Sequence, residues 1–129
     1  MAIDPDAEAL FADAALSAHL ATAVDGRPHV APVWYVYEDG VVWILTGGKK
    51  LANLRENPRV ALSIESYDAA GVDWGVQLLG TARVVDDEER YHEVARRMDE
   101  KYGGDYGTDG GVEGALVAVR VGSASAQTY

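Results

Sequence analysis

Lys49 and Lys50 are adjacent in a chain that has only three lysines. They open a basic segment, residues 49–59, which holds four of the eleven basic residues and a single acid although the net charge is −10. Gly47 and Gly48 come just before the pair, where a strand is predicted to lead into a helix. Free N–H groups at a helix N-terminus, with lysines beside them, form a site for a phosphate-sized anion. A solvated first helical turn is the alternative that these residues leave open.

A second group of residues has the size and polarity to contact an aromatic ring. Trp34, Tyr35 and Tyr37 lie on one predicted strand, and Gln77 is a polar residue in the middle of a long apolar strand. Pro32 interrupts the hydrogen-bond ladder of its strand, so that backbone groups are free to face a ligand. Core packing is the alternative for Trp34, since most aromatic residues in strands have that role.

The two groups together suit a cofactor that brings its own chemistry and needs only binding and orientation from the protein. A flavin would place its phosphate on Lys50, Lys49 and the Thr46 hydroxyl, beside Gly47. The flavin ring would lie along the backbone of residues 31–34, which include Pro32, Val33 and Trp34. Hydride transfer needs no protein nucleophile, so the catalytic residue stays unassigned, with the two tyrosines of this strand or solvent as sources of a proton.

Other catalytic constellations do not occur in the sequence. The chain has no cysteine, which removes disulfides, thiolate catalysis and cysteine-based zinc sites. The three histidines, His19, His29 and His92, lack the spacing that brings two side chains onto one metal ion, so no metal site is predicted. No G-x-S-x-G, G-x-G-x-x-G or Walker sequence is found. Hydrolytic catalysis and a dinucleotide-binding fingerprint are therefore not expected.

The acidic composition limits the partners. Asp and Glu outnumber Lys and Arg by 21 to 11, and a negative field repels nucleic acids and anionic membrane surfaces. The apolar runs are far shorter than the roughly 20 residues of a membrane span, and the first residues are acidic where a secretory signal would be basic. We expect a cytoplasmic protein that binds neither nucleic acid nor membrane. A salt-rich cytoplasm would suit such a surface, because salt screens charge repulsion.

The first half of the chain has the pattern of a helix followed by hairpins. Asp4 and Pro5 are a capping residue and a first-turn proline, and apolar residues at helical spacing extend the helix over 5–18. The turns Asp25-Gly26 and Asp39-Gly40 separate β-branched and aromatic runs, which is a strong hairpin signal. The predicted strands of this half are 19–24, 28–37 and 41–46.

The second half continues with a short helix over 49–56, which ends ahead of Pro58. The remaining predicted elements are strands 59–65, 72–85 and 115–121, a helix that begins after 86–89 and runs to 102, and a mobile glycine-rich loop over 103–114. Hairpins dominate and no βαβ alternation is present. The prediction is a single domain over residues 1–129, mainly β (α+β): a six-stranded antiparallel barrel with flanking helices.

Several motifs in order resemble the pyridoxamine 5'-phosphate oxidase-like split β-barrel family over residues 10–121. The motifs are Leu20-Ala-Thr-Ala, Asp25-Gly-Arg-Pro-His-Val-Ala-Pro-Val-Trp34, Thr46-Gly, Lys50-x-x-Asn53-Leu-Arg-x-Asn-Pro-Arg-Val60 and Leu79-Gly-Thr-Ala82. The resemblance implies a six-stranded split barrel that forms a homodimer and binds FMN, or the deazaflavin F420, in two clefts at the dimer interface.

The resemblance also implies roles for individual residues. Lys50 would bind the phosphate, with Lys49, Thr46 and Gly47 close by and Asn53 in the same motif. Ring contacts would come from Pro32, Val33 and Trp34, and Gln77 would reach in from the partner subunit.

The function that the resemblance implies is a flavin-dependent oxidoreductase that transfers hydride to or from a small organic substrate. Oxidation of pyridoxamine phosphate itself is not expected, because the chain ends at Gln127-Thr-Tyr129 without the Arg-containing segment of those enzymes. FMN is favoured over F420, since an acidic surface repels a polyglutamate tail. The alternative is a flavin-binding or flavin-sequestering stress or sensor protein without turnover.

Overall fold

The computed structural model describes residues 3–69, 71–104 and 114–129. In this part of the chain three helices accompany seven strands. The helices are α1 (Pro5–Phe11), α2 (Gly48–Glu56) and α3 (Glu88–Tyr102). The strands are β1 (Ala18–Val24), β2 (Arg27–Val33), β3 (Val36–Glu38), β4 (Val41–Thr46), β5 (Arg59–Asp68), β6 (Gly71–Val85) and β7 (Ala115–Thr128).

All seven strands form one sheet in the order β2-β1-β5-β6-β7-β4-β3, and every neighbouring pair is antiparallel. β2 and β3 are consecutive in the chain but lie at opposite edges of the sheet. Only three Cα steps of about 3.8 Å separate Val33 from Val36, so the two edges approach within about 11 Å there. The sheet must therefore curl into an open barrel, which confirms the predicted split-barrel architecture.

The sheet has seven strands where six were predicted, because the expected strand over 28–37 is interrupted at Trp34 and Tyr35. Side chains of α3 bind the backbone at this break. The Tyr35 N–H donates to the Tyr102 hydroxyl at 3.2 Å, and the Lys101 Nζ donates to the Tyr35 carbonyl at 2.9 Å. Because these backbone groups are satisfied by side chains, the chain can leave one edge and join the other.

Helix α1 is shorter than the predicted 5–18 and ends at Phe11. Its N-terminus is as expected, since the Asp4 carboxylate accepts from the Asp6 N–H at 3.1 Å. At the other end the buried Tyr35 hydroxyl donates to the Phe11 carbonyl at 2.6 Å and lies 3.2 Å from the Ala14 carbonyl. This tertiary contact satisfies carbonyls that a longer helix would use internally.

Two apolar clusters hold the fold together. The larger one fills the barrel with alternate residues of the strands and with Phe11 and Leu54 from the helices. The smaller one lies between α3 and the sheet, where Val94 and Met98 pack on Leu116. Helix α3 is therefore held against the side of the barrel, next to the β2–β3 connection.

The C-terminal half otherwise follows the predicted pattern. Strand β7 extends to Thr128, beyond the expected end at Val121, and pairs with β6 along its whole length. Most of the predicted mobile loop, residues 105–113, lies outside the described residues. Within the described ranges, no helix is long and apolar enough to cross a membrane. The cytoplasmic location remains a prediction.

Candidate functional site

A depression of about 370 Å³ lies where β2, β4 and α2 meet. Its lining residues are Ser17, Pro32, Val33, Trp34, Leu45, Thr46, Gly47 and Lys50. We call it the Trp34 depression. Six of the nine predicted cofactor-binding residues line it, although residues 32–34 and 46–50 belong to different elements. Its volume is within the roughly 300–1,000 Å³ of small-molecule sites.

One wall of the Trp34 depression combines a lysine with hydrogen-bond donors that lack partners among the described residues. Strand β4 ends at Thr46, and Gly47 then starts α2 without any side chain capping the first turn. The backbone N–H groups of that turn lack partners within the helix. The Thr46 Oγ1 is buried and has no hydrogen-bond partner among the described residues. With Lys50 on the same wall, these groups offer a cation and several donors to a phosphate.

The opposite wall is aromatic and apolar. Pro32 and Val33 end the edge strand β2, where a missing N–H is tolerated. Trp34 follows, and its indole stacks on the ring of Tyr102 with centroids 4.5 Å apart and planes 2° from parallel. Trp34 therefore has one indole face covered by Tyr102 while it lines the depression, so packing and site lining coexist in this residue.

The lysine pair is divided between two depressions. Lys49 and Asn53 line a second one, of about 490 Å³, together with residues of the β1–β2 turn and His29. The Asn53 side chain is buried and donates to the Thr22 hydroxyl at 3.0 Å, which ties α2 to β1. Lys50 faces the Trp34 depression and Lys49 does not, because successive helical residues point about 100° apart. The roles predicted for Lys49 and Asn53 remain predictions.

Gln77 lies on the outer face of the sheet and does not line the Trp34 depression. It is on the same row as Pro32, because the register runs Pro32–His19–Ser63–Gln77 across four neighbouring strands. Three strand spacings of about 4.7–4.9 Å put the Gln77 Cα about 14 Å from that of Pro32. The role predicted for Gln77, a ligand contact from a partner subunit, remains a prediction.

The tyrosines that could donate a proton are occupied elsewhere. Burial raises the pKa of Tyr35, whose hydroxyl is bonded to the end of α1. Burial and a hydrogen bond to Glu8 raise the pKa of Tyr37 to about 12. Neither side chain lines the Trp34 depression. The structure thus offers no protein proton donor from this pair.

Lys101 is a residue of this region that sequence reasoning did not identify. Its Nζ lies 3.6 Å from the centroid of the Tyr35 ring. Burial lowers the pKa of Lys101 from 10.5 to about 8, although Asp13 acts in the opposite direction. Neither Lys101 nor Tyr102 was predicted from the sequence, because the pattern of α3 shows which of its residues are apolar but not which element they contact.

Ser17 and Leu45 are two further lining residues that the sequence did not reveal. Strand alternation does not predict Leu45, because Leu45 and Thr46 are successive residues of β4 and point to opposite faces. In the described part of the chain, no group of three or more His, Cys, Asp or Glu side chains is arranged to hold a metal ion.

An open antiparallel barrel with a depression between an edge strand and a helix N-terminus is the architecture of a known class of proteins. The chain belongs to the pyridoxamine 5'-phosphate oxidase family, whose model matches residues 4–127. Among curated proteins, none matches it significantly.

Solved structures support this assignment at the level of the fold. A conserved hypothetical protein from Mycobacterium tuberculosis is 26% identical, with a TM-score of 0.81 over 99% of this chain and 86% of that one. An F420 reductase is 23% identical, with a TM-score of 0.74 over 95% of this chain and 98% of that one. An FAD-binding protein from Mesorhizobium loti is 21% identical, with a TM-score of 0.77 over 95% of this chain and 93% of that one.

Proposed function

We propose that this protein binds a flavin-type cofactor in the Trp34 depression and acts as an oxidoreductase on a small organic molecule. The observation that carries the proposal is the buried Thr46 Oγ1, which has no partner among the described residues and lies beside Lys50 and the uncapped start of α2. A buried hydroxyl without a hydrogen bond costs about 1–3 kcal/mol. A phosphate oxygen at this wall would supply the missing bond.

FMN is the cofactor that the site favours. A single terminal phosphate matches one cation, one hydroxyl and one helix N-terminus. F420 is the alternative, since one structural neighbour is an F420 reductase. Its additional carboxylates would meet a chain of net charge −10, which disfavours it at low salt.

The residues of the chain have binding and shielding roles in this proposal. Lys50 and Thr46 hold the phosphate, while Pro32, Val33 and Trp34 form an apolar wall that excludes water from one side. A bound flavin supplies the hydride chemistry itself. The protein then needs to orient the cofactor and leave a face open to substrate.

We further infer that the protein works as a homodimer. An apolar row runs across the outer face of the sheet in the register Val30–Ala21–Ala61–Leu79. Val30 is 64% exposed and Leu79 is 60% exposed. The row lies beside the one that links Pro32 to Gln77, so a second copy on this face would bring a Gln77 near a Trp34 depression. Exposed apolar patches of this kind favour a protein partner.

The dimer is tested by sedimentation of two variants with the same chemical change. Leu79→Glu places a charge in the apolar row and is expected to give monomers. Val72→Glu changes an exposed apolar residue outside that row and should leave the dimer intact. A wild-type protein that sediments as a monomer at micromolar concentration would refute the inference.

The cofactor is tested directly by absorbance. The purified protein, or apoprotein reconstituted with FMN or F420, should show the spectrum of the bound cofactor. The alternative is a flavin-binding or sequestering stress or sensor protein. Addition of NAD(P)H or of reduced F420 distinguishes it from an enzyme, because only an enzyme passes electrons on to an acceptor at a catalytic rate. A colourless protein that takes up neither cofactor contradicts both versions.

A further inference from the structure

Three arginines share the outer face of the sheet in a chain dominated by acids. Arg59 on β5 and Arg120 on β7 are both paired in register with Thr81 on β6. Arg83 follows two residues after Thr81 on the same strand, opposite Ala118. Residues two apart on a strand and residues directly opposite each other point to the same face. We call Arg59, Arg83 and Arg120 the arginine patch; all three are exposed.

The spacing lets the guanidinium groups converge on one ligand. Arg83 and Arg120 are diagonal neighbours, for which Cα atoms are about 7–8 Å apart and long side chains can meet. Arg59 and Arg120 are about 10 Å apart across Thr81, at two strand spacings. Arg83 and Arg120, but not Arg59, line a depression of about 330 Å³. Its lining residues are Val41, Thr81, Arg83, Ala118 and Arg120.

The patch arginines form no ion pair within the described part of the chain. The ion pairs found among the described residues use Arg90, Arg96, Arg97 and His92, and the three patch arginines take part in none of them. Like charges at neighbouring sheet positions destabilise one another. An anion that bridges them would relieve this repulsion.

We propose that the arginine patch is a binding site for a small oxyanion with two or more negative charges, such as a pyrophosphate group or a tricarboxylate. The planar guanidinium forks can bind phosphate or carboxylate oxygens in pairs, and the Thr81 hydroxyl lies between them as a further donor. The site does not depend on the proposed cofactor site, because none of its residues lines the Trp34 depression.

Calorimetric titration with pyrophosphate, at an ionic strength held constant with sodium chloride, tests the site. Saturable binding at one site per chain is expected. Arg83→Gln or Arg120→Gln should each weaken it about tenfold or more, since each removes a charge-assisted contact. Arg96→Gln removes the same charge on α3, where Arg96 is paired with Glu100 and does not line the depression, and is expected to leave binding unchanged. Arg83→Lys keeps the charge without the fork and should give an intermediate value.

A Lys50→Ala variant separates this site from the proposed cofactor site. Pyrophosphate binding that disappears in Lys50→Ala but persists in Arg120→Gln would overturn the proposal. Absence of saturable binding at millimolar pyrophosphate and citrate would overturn it as well. So would an Arg120→Gln protein that binds pyrophosphate normally but has a changed monomer–dimer equilibrium, because the patch would then contact carboxylates of a second copy.

Discussion

The indole of Trp34 and the phenol of Tyr102 are stacked 4.5 Å apart and 2° from parallel. Trp34 is on the β2–β3 connection and Tyr102 is the last residue of α3. The Tyr102 hydroxyl also donates to the Leu16 carbonyl at 2.8 Å and accepts from the Tyr35 N–H. One residue of α3 thus supports both the break between the edge strands and the aromatic wall of the Trp34 depression.

Replacement of Tyr102 tests this support. Tyr102→Phe keeps the stack but loses the hydroxyl bonds and should lower the free energy of unfolding by about 1–2 kcal/mol. Tyr102→Leu also loses the stack, which adds about 0.5–1.5 kcal/mol. Urea unfolding measures both values. The dissociation constant of the flavin should increase more for Tyr102→Leu than for Tyr102→Phe. Equal stability of the two variants would mean that the stack contributes nothing.

The lysine pair provides a matched comparison that tests the proposed phosphate contact. Lys50→Ala should weaken cofactor binding by about 1.5–3 kcal/mol, or ten- to over a hundredfold, because one charge-assisted contact is lost. Lys49→Ala removes the same charge on the neighbouring residue, which faces the other depression. We expect Lys49→Ala to have the smaller effect in a fluorescence titration with FMN. The reverse order would move the phosphate to the Lys49 side.

Gly114 lies against the Thr46–Gly47 turn, which lines the Trp34 depression. A Cβ at this position would lie 2.6 Å from the Thr46 carbonyl oxygen and 3.3 Å from the Gly47 nitrogen. Gly114→Ala must therefore displace the Thr46–Gly47 turn, at a cost of about 1–3 kcal/mol in thermal or urea unfolding. It should also weaken flavin binding.

Gly75→Ala is the matched control, because a Cβ there would have no heavy atom within 4 Å. We expect no loss of stability, since the added methyl group meets no neighbour and restricts the unfolded chain. Equal melting temperatures for the two variants would show that Gly114 is not tightly packed against Thr46.

Lys101 should give a pH dependence of a defined sign. Its pKa is about 8 in the folded protein and 10.5 in the unfolded chain, so between these values the unfolded state binds more protons. Stability from this group therefore increases as the pH rises through that window. The unfolding free energy of the wild type should increase relative to that of Lys101→Met as the pH rises from about 7.5 to about 9.5. A difference that stays constant with pH would show that the pKa of Lys101 is not lowered.

Tyr37 acts in the opposite direction at higher pH. Its pKa is raised above the usual 10 to about 12, so the stability it contributes is complete below pH 10 and is lost as the pH rises through 12. The Lys101 comparison is therefore best made below pH 10.

Much of the fold followed from local patterns. The Asp-Gly turns, the proline after α2 and the acids ahead of α3 located the elements to within a few residues, since these signals act through neighbouring backbone groups. The exceptions have tertiary causes. Helix α1 ends early because the Tyr35 hydroxyl binds its last carbonyl, and the strand over 28–37 breaks because α3 binds the backbone of Tyr35.

The residues of the candidate site also fall into those that the sequence predicted and those that only the structure revealed. Thr46, Gly47 and Lys50 were predicted from the sequence because they lie within one strand-to-helix turn. Pro32, Val33 and Trp34 were predicted because a proline interrupts the hydrogen-bond ladder of the predicted strand. Tyr102, Lys101 and the arginine patch were not, because each depends on which elements meet in space. Residue order alone does not tell that α3 packs beside β3, or that Arg59, Arg83 and Arg120 occupy adjacent strands.

The sequence by itself determined the antiparallel strand class and the basic turn after β4, because hydrophobic period, turn residues and helix caps act over a few residues. Only the tertiary structure decided that Lys50 and Lys49 face different depressions and that Trp34 is covered on one side by Tyr102. The physical reason is that α3 packs beside the β2–β3 connection, which brings together residues 34 and 102 although no local interaction relates them.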